Sequence, residues 1–371
     1  MTVLLGGLSP AEFLRAHWQK KPLVVRQAIP GFRGLLTPEE LARVAPKAGA
    51  GARTVTQKSG RYVVDEGPFG RVDLARAPRT NWTLLVQGIE QHVDGAWELL
   101  QRFSFIPSAR VDDLMVSYAV PGGSVGPHDD AYDVFLLQGT GRRRWKIPDG
   151  EWVLEPGDML YLPPRVTHFG VAVDACTTYS IGFSAPRHEQ LVHNFLAFLA
   201  QEAQPGDGIY ADPDLALQAD PAALSDDAIA QVARVLARQL AFDDERVAIF
   251  FGRLLTGPKP GVKLHAPRRA LDDAAFARAL AAPGALTLAR ATRMLFRAHA
   301  GGVRVFVNGD AHDLDHDAAA RSMRAVRTLA NTRALALPVD VEPRGRALLH
   351  ALYRRGFVAL TPAPALPPRG S

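Results

Sequence analysis

The sequence predicts an α+β chain in three parts: an antiparallel β-barrel or sandwich, a layer of amphipathic helices, and a small mixed unit at the C-terminal end. Three observations carry this reading. Between residues 114 and 183, short β-rich runs follow one another between Gly and Pro residues, the grammar of an antiparallel barrel or sandwich. After Pro186 the apolar spacing turns helical, with Leu191, Phe195 and Phe198 at i, i+4 and i+7. Beyond Thr256-Gly257-Pro258-Lys259-Pro260-Gly261, which reads as a linker, helix and strand patterns alternate.

Ser9-Pro10-Ala11-Glu12 is a capping box with Pro at the first helical position, so a helix starts there and runs to about Trp18. Thr37-Pro38-Glu39-Glu40 repeats the signature. Strands are expected over 114–120, 132–138, 144–147, 159–162, 169–173 and 177–183. Glu155-Pro156-Gly157-Asp158 suits a type II turn, with Pro at i+1 and Gly at i+2. The first helix after Pro186 should break at Pro205-Gly206-Asp207-Gly208. A second is capped by Ser225, with Asp226 and Asp227 in its first turn, and a third covers 243–255. Three such helices are too thin a layer to bury their own apolar surface, so they should pack on a neighbour or on a second copy. The last unit reads as a helix over 272–281, then strands over 293–299 and 303–307 with the Asn308-Gly309 turn after them. Helices over 317–331 and 346–355 and a strand over 357–360 complete a winged-helix shape. The expected divisions are 1–186, 187–257, 258–361 and a Pro-rich, disordered tail, 362–371. Trp18 and Trp82 are assigned to the core.

A chain of 371 residues has room for more than one domain, and 47% hydrophobic with 22% charged residues excludes a disordered one. The lone Cys176 excludes an intramolecular disulfide and any multi-cysteine metal site, which fits a reducing compartment. No apolar run reaches membrane-spanning length, and the first ten residues lack a basic segment ahead of an apolar stretch. A cytoplasmic protein without membrane association is the expectation. Charge is uneven: residues 258–371 carry 18 Lys and Arg against 8 Asp and Glu, a net +10, within a chain of net +5. That balance suits a polyanionic partner, and equally an Arg-rich solvated surface.

The stretch that carries chemistry is Pro121-Gly122-Gly123-Ser124-Val125-Gly126-Pro127-His128-Asp129-Asp130. In an extended strand His128 and Asp130 share one side, and His168 follows on Tyr161-Leu162-Pro163-Pro164-Arg165-Val166-Thr167. Two histidines and one carboxylate can occupy a triangular face of an octahedral ion, the arrangement of non-haem Fe(II) oxygenases. Spacing alone supports a metal site in a β-barrel, and equally a strand-end histidine beside an exposed acid. Asp129 should point away from any metal. In Gly139-Thr140-Gly141-Arg142-Arg143-Arg144-Trp145 the arginines alternate faces, so Arg143 opposes its two neighbours. One inward arginine can grip a carboxylate with two parallel hydrogen bonds. His299, His312 and His316 are read as structural or solvated, and Cys176 as a strand residue.

"GGSVGPHDDAYDVFLLQGTGRRRWKI" followed by "LEPGDMLYLPPRVTH" resembles the bacterial jumonji-C ribosomal oxygenases, in particular arginine hydroxylases of the sixteenth large-subunit ribosomal protein. "AEFLRAHWQKKPLVVR", "TNWTLLVQGIEQH" and "DDLMVSYAVPGG" extend the likeness outside the barrel. The resemblance implies a double-stranded β-helix (jumonji-C, or cupin) core, a helical dimerisation segment and a C-terminal winged-helix-like domain. It places Fe(II) on His128, Asp130 and His168, and the distal carboxylate of 2-oxoglutarate on Arg143, with Ser117 as a further contact and Tyr132 lining the pocket. 2-Oxoglutarate and O₂ would be co-substrates, and the reaction hydroxylation of an arginine side chain at C3. The partners would be a large-subunit ribosomal protein, a second copy of the chain, and ribosomal RNA through the basic domain. One departure stands out. Between Trp145 and Leu154 this chain has only "KIPDGEWV", where a relative in that family carries a longer insertion, so a substrate contact supplied by that insertion is not carried over to this chain, while the metal chemistry is less affected. The alternatives are the same chemistry on another protein, an RNA or a small molecule, and a nucleic-acid-binding regulator that senses a ligand with its barrel. Arg321, Arg324 and Arg327, at helical spacing, motivate the last.

Overall fold

The computed structural model describes residues 3–47, 51–70, 72–202, 209–259, 264–315 and 320–362. Both capping boxes form. Ser9 Oγ accepts from the Glu12 amide and the Glu12 carboxylate accepts from the Ser9 amide, which starts α1 (Pro10–Ala16). After β1 (Leu23–Val25), Thr37 and Glu40 start α2 (Pro38–Val44) in the same way. Next come β2 (Ala52–Lys58), β3 (Arg61–Glu66), β4 (Trp82–Val86), α3 (Ala96–Gln101), β5 (Val111–Ala119), β6 (Asp133–Gln138) and β7 (Arg143–Ile147). β8 (Gly150–Leu154), β9 (Met159–Leu162), β10 (Phe169–Ala172) and β11 (Cys176–Phe183) follow. The six expected strands are all present; β1 to β4 and β8 are additions. β4 is buried along its whole length, and such a short apolar run has no periodicity to distinguish it from a buried helix.

Eight strands make one antiparallel sheet in the order β1-β9-β6-β11-β5-β4-β2-β3, and β10-β7-β8 make a second. Cross-strand partners share a face. On one face of the large sheet the row Val86, Val116, Tyr179, Leu137 joins the main core, where Phe13 and Leu41 are fully buried. On the other, the row Arg53, Leu85, Ser117, Thr178, Gln138 lines the barrel interior. Ile147 pairs directly with Gly150, so β7 and β8 close in a two-residue turn. The type II turn is in place, with Gly157 at φ +91° and the Asp158 amide donating to Glu155 O at 2.9 Å.

The helical layer consists of α4 (His188–Glu202), α5 (Asp226–Gln239) and α6 (Asp244–Thr256), the last two capped by Ser225 and Asp243. The break expected at 205–208 lies outside the described residues. Phe198, Leu199 and Phe250 bury one another, with Leu191 and Phe195 against them. α5 buries none of its residues, and Ile229, Val232 and Leu236 lie open. Among the described residues, no helix is long and apolar enough to cross a membrane.

The C-terminal unit holds α7 (Asp273–Ala281), β12 (Gly284–Leu288), β13 (Met294–His299), β14 (Gly302–Val307), β15 (Asp310–Asp315), α8 (Ala320–Thr332), β16 (Ala334–Leu337), α9 (Pro343–Arg354) and β17 (Val358–Pro362). Its two sheets run β16-β12-β17 and β13-β14-β15, around a separate core that includes Phe276, Val305 and Leu329. Positive φ at Asn308 and Gly309, +49° and +90°, makes the expected hairpin turn. β12, β15 and β16 are additions to the sequence reading. His316, the expected helix start over 317–319 and the tail over 363–371 lie outside the described residues. α6 packs on β14: a Cβ at Gly252 would come within 2.5 Å of the Phe306 ring.

Candidate metal and co-substrate site

The structure corrects one detail of the sequence reading before the site is assembled. His128 and Asp130 do not lie in a continuous strand. They sit in a loop pinned by an isolated bridge, His128 to His168, closed by backbone hydrogen bonds of 3.1 and 2.8 Å. The cause is Gly122 and Gly126 at φ +78° and +88°, which turn the chain out of register. Tyr132 also precedes its strand, although it lines the same cavity.

The loop still brings the three side chains together. His128, Asp130 and His168 each offer a ligand atom, and all three atoms lie within 4.8 Å of one another. The imidazole centroids are 4.2 Å apart, and His168 Nε2 is 3.7 Å from an Asp130 oxygen. His128 Nδ1 lies 3.0 Å from Gly126 O, and His168 Nδ1 lies 2.9 Å from Val166 O. A carbonyl only accepts, so each Nδ1 carries the proton and each Nε2 presents its lone pair to the cluster. Burial holds His168 below the ordinary histidine range, which keeps the ring neutral. Asp129 is exposed, as expected. Imidazole and carboxylate donors of this kind fit a divalent first-row metal.

Arg143 is the inward arginine. Arg142 pairs with Asp174 at 2.8 Å and Arg144 with Glu151 at 3.3 Å, both on the solvent side. Arg143 is 3% exposed. Its Nη1 donates to Ser117 Oγ at 3.1 Å and Thr178 Oγ1 at 3.4 Å, and Nη2 donates to Gly170 O at 3.4 Å. Its buried Nε has no partner. No carboxylate pairs with it among the described residues, and burial pushes its pKa down. A buried cation held by neutral groups, with an N–H to spare, fits the carboxylate of a bound anion. The triad and Arg143 line one cavity of about 100 Å³. A larger hollow of about 400 Å³ lies between the barrel and the C-terminal unit. Its acids Asp94 and Asp112 pair with Arg290 and Lys259, and it contains no metal-ligating set among the described residues.

Three residues of this cavity escape the sequence reading. Trp145 stacks under the Arg143 guanidinium at 5.1 Å, and Thr178 hydrogen-bonds it. Asp113 lines the cavity on β5 and is raised to about 7, chiefly by burial, with Lys259 opposing and Asp112 and Glu90 adding to the rise. Asp113, Met115 and Ser117 alternate along one strand, so the period-two rule that puts Ser117 inside also puts Asp113 there. Of the remaining expectations, Trp82 is buried, Trp18 packs against the core and Cys176 is a fully buried strand residue. His299 lies 3.6 Å from Asp313.

Facing sheets of this topology, with two imidazoles and a carboxylate between them, define the jumonji-C class of the cupin fold. In agreement, the JmjC domain family matches residues 98–151 and 148–191, and the ROXA-like winged helix family matches residues 239–359. The ribosomal protein uL16 3-hydroxylase of Escherichia coli is 39% identical over 233 residues, 57% of this chain and 62% of that protein. A probable ribosomal oxygenase of Haemophilus influenzae is 38% identical over 212 residues, 50% of this chain and 52% of that protein. The chain thus aligns with between half and two thirds of the length of these relatives. The solved structure of YcfD, a ribosomal oxygenase from Escherichia coli, superposes with a TM-score of 0.80 at 31% identity, covering 95% of this chain and 98% of that one. A YcfD complex with cobalt and 2-oxoglutarate gives 0.81 at 31% identity and the same coverage. The chain belongs to the jumonji-C ribosomal oxygenase family.

Proposed function

We propose that this protein is an Fe(II)- and 2-oxoglutarate-dependent oxygenase that hydroxylates C3 of an arginine side chain in a large-subunit ribosomal protein. The observation that carries the reading is the coexistence, in one cavity, of a His-Asp-His donor set and the buried, unneutralised guanidinium of Arg143. His128, Asp130 and His168 hold the iron. Arg143, aided by Ser117 and Thr178, holds the distal carboxylate of 2-oxoglutarate. When bound, the iron, keto-acid and O₂ supply the oxidising power to hydroxylate an unactivated C–H bond, leaving succinate and carbon dioxide. Trp145 and Leu136 wall the cavity against water. Asp113, buried beside the cluster and free of ion pairs among the described residues, is the acceptor for the substrate guanidinium. Tyr132, whose hydroxyl is kept protonated by burial and by Asp130, supports it.

A ribosomal substrate implies action in the cytoplasm. The open apolar side of α5 supports pairing with a second copy, and Leu236→Arg should convert a dimer to a monomer by light scattering. Arg324 and Arg327 remain exposed on α8 and are suited to ribosomal RNA, whereas Arg321 is taken up by Asp340 and Glu342. The test of the main reading is mass spectrometry of a uL16 peptide incubated with purified protein, Fe(II), ascorbate and 2-oxoglutarate. The expected product gains one oxygen on an arginine. Succinate formation with unmodified peptide and unmodified intact uL16 would reject the substrate, and no succinate at all would reject the chemistry.

A further inference from the structure

Arg53, on β2, has no part in the site described so far. The row Glu66, Arg53, Leu85, Ser117 crosses β3, β2, β4 and β5, so Arg53 shares the interior face with Ser117 and lines the same cavity as the metal cluster. It is half-buried, and among the described residues its guanidinium has no hydrogen-bond acceptor or ion pair. Its hairpin is fixed beside the metal loop, because the Tyr62 ring lies against Gly126, where a Cβ would approach it within 2.9 Å. A half-buried arginine on a cavity wall, hydrated on its open side, can exchange that water for an acceptor that a ligand brings.

The surroundings select that acceptor. Glu66 stands directly opposite Arg53 on β3, and Asp113 lines the same cavity. A carboxylate on the facing strand and another on the cavity wall disfavour an incoming carboxylate and leave a neutral oxygen as the better ligand. A peptide that inserts one side chain into this cavity must carry its main chain across the rim. We infer that Arg53 is a substrate-binding residue whose guanidinium donates to main-chain carbonyl oxygens flanking the arginine that enters the cavity. The inference rests on the peptide-hydroxylase reading above. Asp113 attracts the substrate's cation while Arg53 repels it, so the pair also fixes the direction in which the side chain enters.

The test uses the full chain as wild type, Arg53→Gln and Arg53→Lys, with a fluorescent uL16 peptide as probe. Peptide affinity is read by anisotropy without added metal, and KM and kcat are read with Fe(II) and 2-oxoglutarate. Succinate formation without peptide reports the co-substrate site alone. Arg53→Gln should raise both Kd and KM for the peptide about tenfold to a hundredfold, the range for a hydrogen bond to a charged group. It should leave kcat and peptide-free succinate formation at wild-type levels. Arg53→Lys should fall between the two, keeping the charge but losing the fork. Unchanged peptide Kd and KM in Arg53→Gln would overturn the assignment, as would an equal loss of peptide-free turnover. Wild-type protein that forms succinate but neither binds nor hydroxylates the peptide would remove the substrate reading, and Arg53's role with it.

Discussion

The two faces of the large sheet come from the same strands and do opposite work. Outward, Val86, Val116, Tyr179 and Leu137 join an apolar core with Phe13 and Phe135. Inward, one residue away on each strand, lie Leu85, Ser117, Thr178 and Gln138, followed by the cavity with Arg143. A period of two lets a strand give every second side chain to stability and the others to chemistry. Substitutions on the inner face should therefore change catalysis with little cost to folding, and substitutions on the outer face should do the reverse.

The largest expected effect on activity is at the cluster. His168→Ala or Asp130→Ala should lower hydroxylation at least about a thousandfold, since a metal contributes several kcal/mol to the transition state. The thermal midpoint without metal should stay close to wild type, and a large fall in that midpoint would break the division of labour. Phe135→Ala, on the outer face and fully buried, should cost about 3–5 kcal/mol of stability. Protein that remains folded should keep its KM for 2-oxoglutarate. Arg143→Lys should raise that KM about tenfold to a hundredfold while sparing peptide affinity, because a lysine cannot form the two parallel hydrogen bonds.

Asp113 sharpens the comparison through pH. Its carboxyl is raised to about 7, so it is neutral below that pH and charged above. Peptide kcat/KM in wild type should rise through pH 7, and Asp113→Asn should flatten that rise. The folded state binds the proton more tightly than the unfolded chain, so ionising Asp113 costs stability above the unfolded pKa, increasingly so up to pH 7. Asp113→Asn should accordingly gain stability at both pH values, by a few kcal/mol more at pH 8 than at pH 5, read as the midpoint of thermal unfolding. The smallest effect belongs to Arg144→Ala, which removes an exposed pair with Glu151 and should change stability by less than about 1 kcal/mol.

Local signals in the sequence were strong where chemistry is local. Ser9, Thr37 and Ser225 all cap the helices they announce, because a cap is decided within four residues. The inward choice among three arginines was left open by alternation alone, and the family likeness pointed to Arg143. Loop geometry was less visible: His128 and Asp130 share a side because glycines bend the loop and His168 bridges it, not because a strand carries them. Short strands such as β1, three residues long, are set by the sheet they join and leave almost no trace in their own residues. Asp113 and Arg53 were hidden for another reason. An isolated charge in a strand looks solvated until the register shows which face it occupies.

Diffraction at the iron absorption edge would test the central claim most directly, using crystals soaked without oxygen in Fe(II) and 2-oxoglutarate. The account predicts one anomalous peak bonded to His128 Nε2, His168 Nε2 and an Asp130 oxygen, with the far carboxylate of the keto-acid on Arg143. Iron bound elsewhere, or a keto-acid that leaves the Arg143 guanidinium without a partner, would contradict it.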